Sequence, residues 1–144
     1  MLCQAHLGEV QEHLQEIRAM GGELVVVTQS RPEHLRIRLE DDPKPFPVVC
    51  DPERQVYRDF GLLPGKARMF LSFKVIGSYL VRMFQGWRVR RPVKNEDLLQ
   101  LGGDFVIDQT RRLVFAYRSA DPTDRPSITQ LLEAVRKTKR SDKL

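Results

Sequence analysis

The chain has 144 residues, of which 41% are hydrophobic and 30% charged, and its formal net charge is +5. This length fits one domain with a real hydrophobic core, and this composition excludes a wholly disordered, collagen-like or coiled-coil protein. Two cysteines are too few for a disulfide framework, so a reducing cytoplasm is the expected compartment. Met1 leads into a polar amphipathic stretch instead of the apolar run of a signal peptide.

The first half of the sequence alternates helical and extended patterns. Apolar residues three and four apart are typical of an amphipathic helix, whereas short β-branched runs are typical of buried strands. A capping box at Ser30 and the pair Asp51-Pro52 are signals for helix starts. Alternation with short connections favours a parallel α/β sheet. The predicted elements are a helix over 4–20, a strand over 24–28 that is buried on both faces, a helix over about 31–40, a strand over 48–50 and a helix from Asp51-Pro52 to Gly61.

The second half predicts an antiparallel hairpin and a closing helix. Two apolar runs flank a polar turn over 109–112, which is the pattern of two paired strands. A second capping box, Ser127 to Gln130, opens the last helix. The predicted strands are 105–108 and 113–117, a short helix precedes them over 95–101, and a single domain spans 1–138, with 139–144 as a basic flexible tail.

The positive charge is concentrated in one segment. Residues 61–95 contain eight basic residues and no acidic residue, and they include the most apolar part of the chain. Lys74 and Arg82 interrupt this segment too much for it to span a bilayer. As a helix it suits packing on its own sheet, a dimer partner, a lid over a thiol site or an anionic membrane surface. Its acidic flanks and the lack of a known motif argue against nucleic acid as a partner.

The order of these elements, a βαβ half followed by a hairpin and a helix, is that of the thioredoxin fold. Five stretches add a more specific signal: CQAHL at 3–7, GELVVVTQS at 22–30, FPVVCDPER at 46–54, LGGDFVID at 101–108 and DRPS at 124–127. With these stretches the chain resembles the peroxiredoxin-like branch of the alkyl hydroperoxide reductase/thiol-specific antioxidant (AhpC/TSA) superfamily. The resemblance implies a thioredoxin-like α/β fold, with a central mixed sheet flanked by helices and a helical insertion over about 66–91.

Two departures from the family pattern concern the redox site. Many members carry a C-x-x-C at the head of the first long helix, and Cys3 matches its second cysteine. The first cysteine and the opening strand would precede Met1, so the resemblance implies an incomplete N-terminus. Typical members also place an arginine before the hairpin strand, where this chain has Gly103-Asp104, so peroxidase chemistry by the usual route is not expected.

Cys3 is the candidate catalytic residue, with His6 as its helper. A thiol at a helix N-terminus feels the positive end of the helix dipole, which favours the thiolate, and a protonated His6 on the same face would add to this effect. The alternative is that Cys3 is an inert residue at the chain end. Cys50 ends a predicted strand and is interpreted as a buried structural residue. No cofactor is predicted and no metal either, because His6, His13 and His34 lack a completing set of ligands.

Two functions therefore remain open. The first is a thiol-based redox protein of the peroxiredoxin-like class that reduces peroxides or disulfides through Cys3 and is restored by a small-molecule or protein thiol. The second is a non-catalytic thioredoxin-like module that docks on a partner, or on a membrane surface, through residues 66–91. A sheet without its first strand would leave an exposed edge, which predicts a homodimer.

Overall fold

A computed structural model describes residues 2–62, 64–65, 100–121 and 123–141. The predicted insertion over 66–91 and the final residues of the predicted tail lie outside the described residues, as does nearly all of the predicted helix over 95–101. Within the described ranges the elements alternate between helices and short strands. They are α1 (Leu2–Glu12), α2 (Leu14–Ala19), β1 (Val26–Thr28), α3 (Pro32–Asp41), β2 (Val48–Cys50), α4 (Gln55–Asp59), β3 (Gly103–Ile107), β4 (Leu113–Arg118) and α5 (Ile128–Ser141).

The helix predicted over 4–20 is found as two helices separated at His13. The amide of His13 donates to the carbonyl of Val10, a three-residue step in place of the four-residue step of an α-helix. This tighter turn ends α1, and α2 restarts one residue later. Gly21, with φ of 82°, ends α2 in the left-handed conformation that glycine adopts without cost.

The main core lies between the two N-terminal helices and α5. Val10 and Ile17 are buried against Leu131 and Leu132. Four half-buried side chains extend this cluster onto the loop before β1, the hairpin and the start of α5. They are Met20, Leu24, Phe115 and Ile128. The N-terminal helices and α5 therefore pack on each other through apolar side chains.

The strands form a parallel pair and an antiparallel pair. β1 and β2 run parallel, with Val27 opposite Val49, and α3 connects them. β3 and β4 form the predicted hairpin, with Asp104 opposite Tyr117. Between the described strands no pairing links one pair to the other, so the single central sheet that the resemblance implied is found here as two smaller sheets.

Strand β1 is shorter and more accessible than the sequence predicted. Its three residues are half-buried, and Val25, within the predicted strand, is 55% exposed. Among the described strands, β1 pairs with β2 alone. Its other edge is met by α4, since the Tyr57 hydroxyl donates to the Val27 carbonyl at 3.2 Å.

Candidate functional site

Helix α1 brings His6, one of the two predicted site residues, to the start of strand β3. Cys3 and His6 both lie in α1, three residues apart, so their positions are neighbours on one side of the helix. His6 is buried, with 8% of its surface exposed, and its Nε2 lies 2.9 Å from Oδ1 of Asp104 in β3. The helper residue predicted from the sequence is thus fixed to a carboxylate that lies 98 residues further along the chain.

Asp104 also faces the cationic side chain of Arg125. Nη1 of Arg125 lies 3.5 Å from Oδ2 of Asp104, and the Arg125 side chain is only 14% exposed. The guanidinium lies against the backbone of Gly102, where an added Cβ would come within 2.8–2.9 Å of its terminal nitrogens. A residue with a side chain at position 102 would therefore compete with Arg125 for this space.

The loop that carries Arg125 is tied to the hairpin by Tyr117 and Asp124. The Tyr117 hydroxyl donates to Oδ1 of Asp124 at 2.5 Å, and the backbone amide of Ala120 donates to Oδ2 at 2.7 Å. The hydrogen bond to Asp124 is the main reason that the pKa of Tyr117 is raised. Ser119 is also buried here, and its hydroxyl oxygen has no hydrogen-bond partner within the described part of the chain.

The DRPS stretch thus has two separate roles. Its end forms the predicted capping box, because the amide of Gln130 donates to Oγ of Ser127 and the amide of Ser127 donates to Oε1 of Gln130. Arg125 does not cap the helix and instead forms the ion pair with Asp104 in β3. Local sequence could not reveal this pair, because its two residues are distant along the chain.

Cys50 occupies a different part of the fold. It ends β2, is half-buried and is a free thiol. Pro32, Leu35 and Leu39 of α3 line an open groove beside it. Cys50 is therefore more accessible than the buried structural residue that the sequence predicted, because it borders this groove.

The other histidines lie apart from this cluster. Nδ1 of His13 is 3.4 Å from Oε2 of Glu16 at the surface, and His34 is in α3. Among the residues with described positions, no three histidine, cysteine or acidic side chains are close enough to hold a metal ion. None of the described helices is both long and apolar enough to cross a membrane.

The mixed α/β order and the hairpin followed by a helix define a thioredoxin-like class of protein, as the resemblance implied. Residues 9–121 match the family described as AhpC/TSA antioxidant enzyme, and the chain belongs to this family. The matched range contains Asp104 but begins after His6 and ends before Arg125. Comparisons with curated proteins and with solved structures gave no significant match.

Sequence reasoning identified His6 but missed Asp104 and Arg125. Neither residue lies in a local motif with His6, since 98 residues separate His6 from Asp104. One sequence feature pointed to this region, namely the Gly103-Asp104 pair at a place where the family pattern has an arginine. In the structure, the Arg125 guanidinium lies beside Gly102, next to that departure.

Proposed function

We propose that this protein is a thiol-based redox protein of the peroxiredoxin-like class, in which Cys3 reduces a peroxide or a disulfide. The observation that carries the proposal is the part-buried His6–Asp104 pair, in a chain of an antioxidant family. His6 lies three residues along α1 from Cys3. A cysteine in the first turn of a helix is favoured as the thiolate by the helix dipole, and the thiolate is the reactive form.

The reaction with a peroxide is balanced as follows. The Cys3 sulfur attacks one peroxide oxygen, a sulfur–oxygen bond forms and the oxygen–oxygen bond breaks. The sulfur loses two electrons and becomes a sulfenic acid, while the leaving oxygen takes up a proton and departs as water or an alcohol. An external thiol, of the thioredoxin or glutathione type, then reduces the sulfenic acid through a mixed disulfide. With a disulfide substrate, the mixed disulfide forms directly.

Such chemistry needs a pool of reduced thiols, which agrees with a cytoplasmic location. A homodimer also remains part of the proposal. Among the described strands β3 pairs with β4 alone, and an unpaired strand edge invites association. Light scattering on the purified chain tests the dimer, and a monodisperse monomer with a cooperative melt would contradict it.

The test of the redox function is selective oxidation of Cys3. The purified chain is treated with one to a few equivalents of hydrogen peroxide in the presence of a sulfenic-acid trap, and peptide mass spectrometry measures each cysteine separately. Cys50 is the internal reference, and Cys50→Ser is the matched control variant. We expect fast trapping at Cys3, retained in the Cys50→Ser protein. Trapping of Cys3 no faster than that of a free peptide thiol would overturn the redox function and favour the non-catalytic interaction module.

A further inference from the structure

The cluster at the start of β3 joins three charged or titratable groups from three separate parts of the chain. His6 comes from α1, Asp104 from β3 and Arg125 from the loop before α5. The side chains of these residues are 10%, 18% and 14% exposed. A part-buried carboxylate is costly unless its charge stays paired, so the hydrogen bond to His6 and the ion pair with Arg125 together favour one orientation of Asp104.

This arrangement determines which nitrogen of His6 carries a proton. An ionised carboxylate only accepts hydrogen bonds, so Nε2 of His6 must be the donor in its 2.9 Å contact with Asp104. A neutral imidazole protonated on Nε2 has its lone pair on Nδ1, and that lone pair can accept a proton. Nucleophile, base and orienting carboxylate are the three parts of an activated cysteine or serine site.

We propose that His6 is the general base and acid for Cys3, with Asp104 and Arg125 as positioning residues; this proposal rests on the proposed redox function. Nδ1 of His6 accepts the Cys3 thiol proton, and the thiolate attacks the peroxide. The imidazolium then returns this proton to the leaving oxygen, so no net charge is created. Asp104 stabilises the imidazolium between these two steps.

Arg125 acts through Asp104. Its guanidinium lies beside Oδ2, the carboxylate oxygen that His6 does not use, and keeps the carboxylate turned so that Oδ1 faces Nε2. Gly102 leaves the space that this guanidinium occupies. Tyr117 lies opposite Asp104 in the hairpin and is bound to Asp124, which anchors the same loop. Within the described residues, these are the charged and titratable groups that the contacts through Asp104 link to His6.

The test measures the alkylation rate of Cys3 by iodoacetamide between pH 5 and pH 9, read by peptide mass spectrometry. Asp104→Asn keeps the shape but presents an amide, which can donate to the ring and favour the other tautomer. We expect the rate of Cys3 at pH 7 to fall at least about tenfold in Asp104→Asn, because general-base assistance is worth roughly a hundredfold or more. We expect a smaller fall in Arg125→Gln. Asp108→Asn is the matched control, since Asp108 is a buried carboxylate just beyond the far end of β3.

A second readout does not depend on the thiol. Nitrogen-15 NMR of the His6 ring distinguishes the two neutral tautomers, and we expect Nε2–H in the natural chain and a shift toward Nδ1–H in Asp104→Asn. Gly102→Ala is the second variant, because its methyl group displaces the Arg125 guanidinium without removing a charge. We expect Gly102→Ala to lower the alkylation rate of Cys3 as Arg125→Gln does.

Two results would overturn this proposal alone. One is a reactive Cys3 whose rate is the same in the natural chain, Asp104→Asn and Arg125→Gln. The other is a His6 ring that is protonated on Nδ1 in the natural chain. A Cys3 that is inert in the natural chain would instead overturn the redox function, and the base role of His6 with it.

Discussion

Replacing Asp51 by alanine is expected to destabilise the protein strongly, because this one side chain supplies the start of α4. Oδ1 accepts a hydrogen bond from the Gln55 amide at 2.9 Å, and Oδ2 accepts from the Val56 and Tyr57 amides at 2.8 and 3.3 Å. Asp51 is only 7% exposed. Helix caps contribute about 0.5–2 kcal/mol, and a hydrogen bond to a charged group about 1.5–3 kcal/mol. Because water can reach part of this turn after the substitution, we expect a loss of about 2 kcal/mol.

Urea denaturation followed by circular dichroism measures this loss. With a slope of about 2 kcal/mol per molar urea, the midpoint is expected to fall by about 1 M. Asp59→Ala is the matched control, since Asp59 is an exposed carboxylate in the same helix that accepts a bond from the Gln55 side chain. Its effect is expected to stay within about 0.5 kcal/mol. Equal midpoints for the Asp51 and Asp59 variants would show that the capping argument is wrong.

Three further predictions concern other single residues. Gly8→Ala in α1 is expected to stabilise the chain by about 1 kcal/mol, since an added Cβ meets nothing within 4 Å, and an unchanged melting temperature would contradict this. Arg111→Gly is expected to raise the free energy of unfolding by about 1 kcal/mol, because Arg111 has φ of 65° in the hairpin turn, where glycine is less strained. A lower free energy of unfolding in urea denaturation would refute this argument from backbone strain. The Thr110 hydroxyl, followed by the Arg112 amide, lowers the pKa of Asp108, so its carboxylate stabilises the fold above the unfolded pKa of about 4. The difference in free energy of unfolding between the natural chain and Asp108→Asn is therefore expected to shrink as pH falls below about 4. A difference that stays constant with pH would show that the Asp108 carboxylate does not stabilise the fold in this way.

Local sequence motifs predicted that helices begin near Ser30 and Asp51, but not the residues at which they begin. Asp51 caps α4 as predicted, but the helix begins at Gln55 instead of directly at Pro52. Arg54 precedes it in the left-handed conformation, with φ of 57°, which delays the first turn. The capping box predicted at Ser30 is wrong in its register, since Arg31 is the N-cap of α3 and the Ser30 hydroxyl contacts Thr28 and Arg38. A motif of four residues predicts that a helix begins nearby, whereas tertiary contacts decide at which residue.

Strand burial was less predictable than strand position. The β-branched run over 24–28 marked β1 and predicted burial on both faces, yet Val25 is 55% exposed. The residue types of a segment indicate whether it forms a strand, but the burial of that strand depends on how many other strands and helices cover it. That number depends on contacts distant in sequence, such as the bond from Tyr57 to Val27.

The candidate site shows the same division between local and distant information. Cys3 and His6 could be proposed together from the sequence because residues three apart on a helix have a fixed spatial relation. Asp104 could not, since any of the 19 acidic residues could have met His6. The absence of an expected arginine before the hairpin strand suggested lost chemistry, but the Arg125 guanidinium lies beside Gly102, next to this position in the chain. A residue distant in sequence can therefore supply a charge that the local sequence lacks, and substitution of Arg125 or of Gly102 tests whether this charge is used.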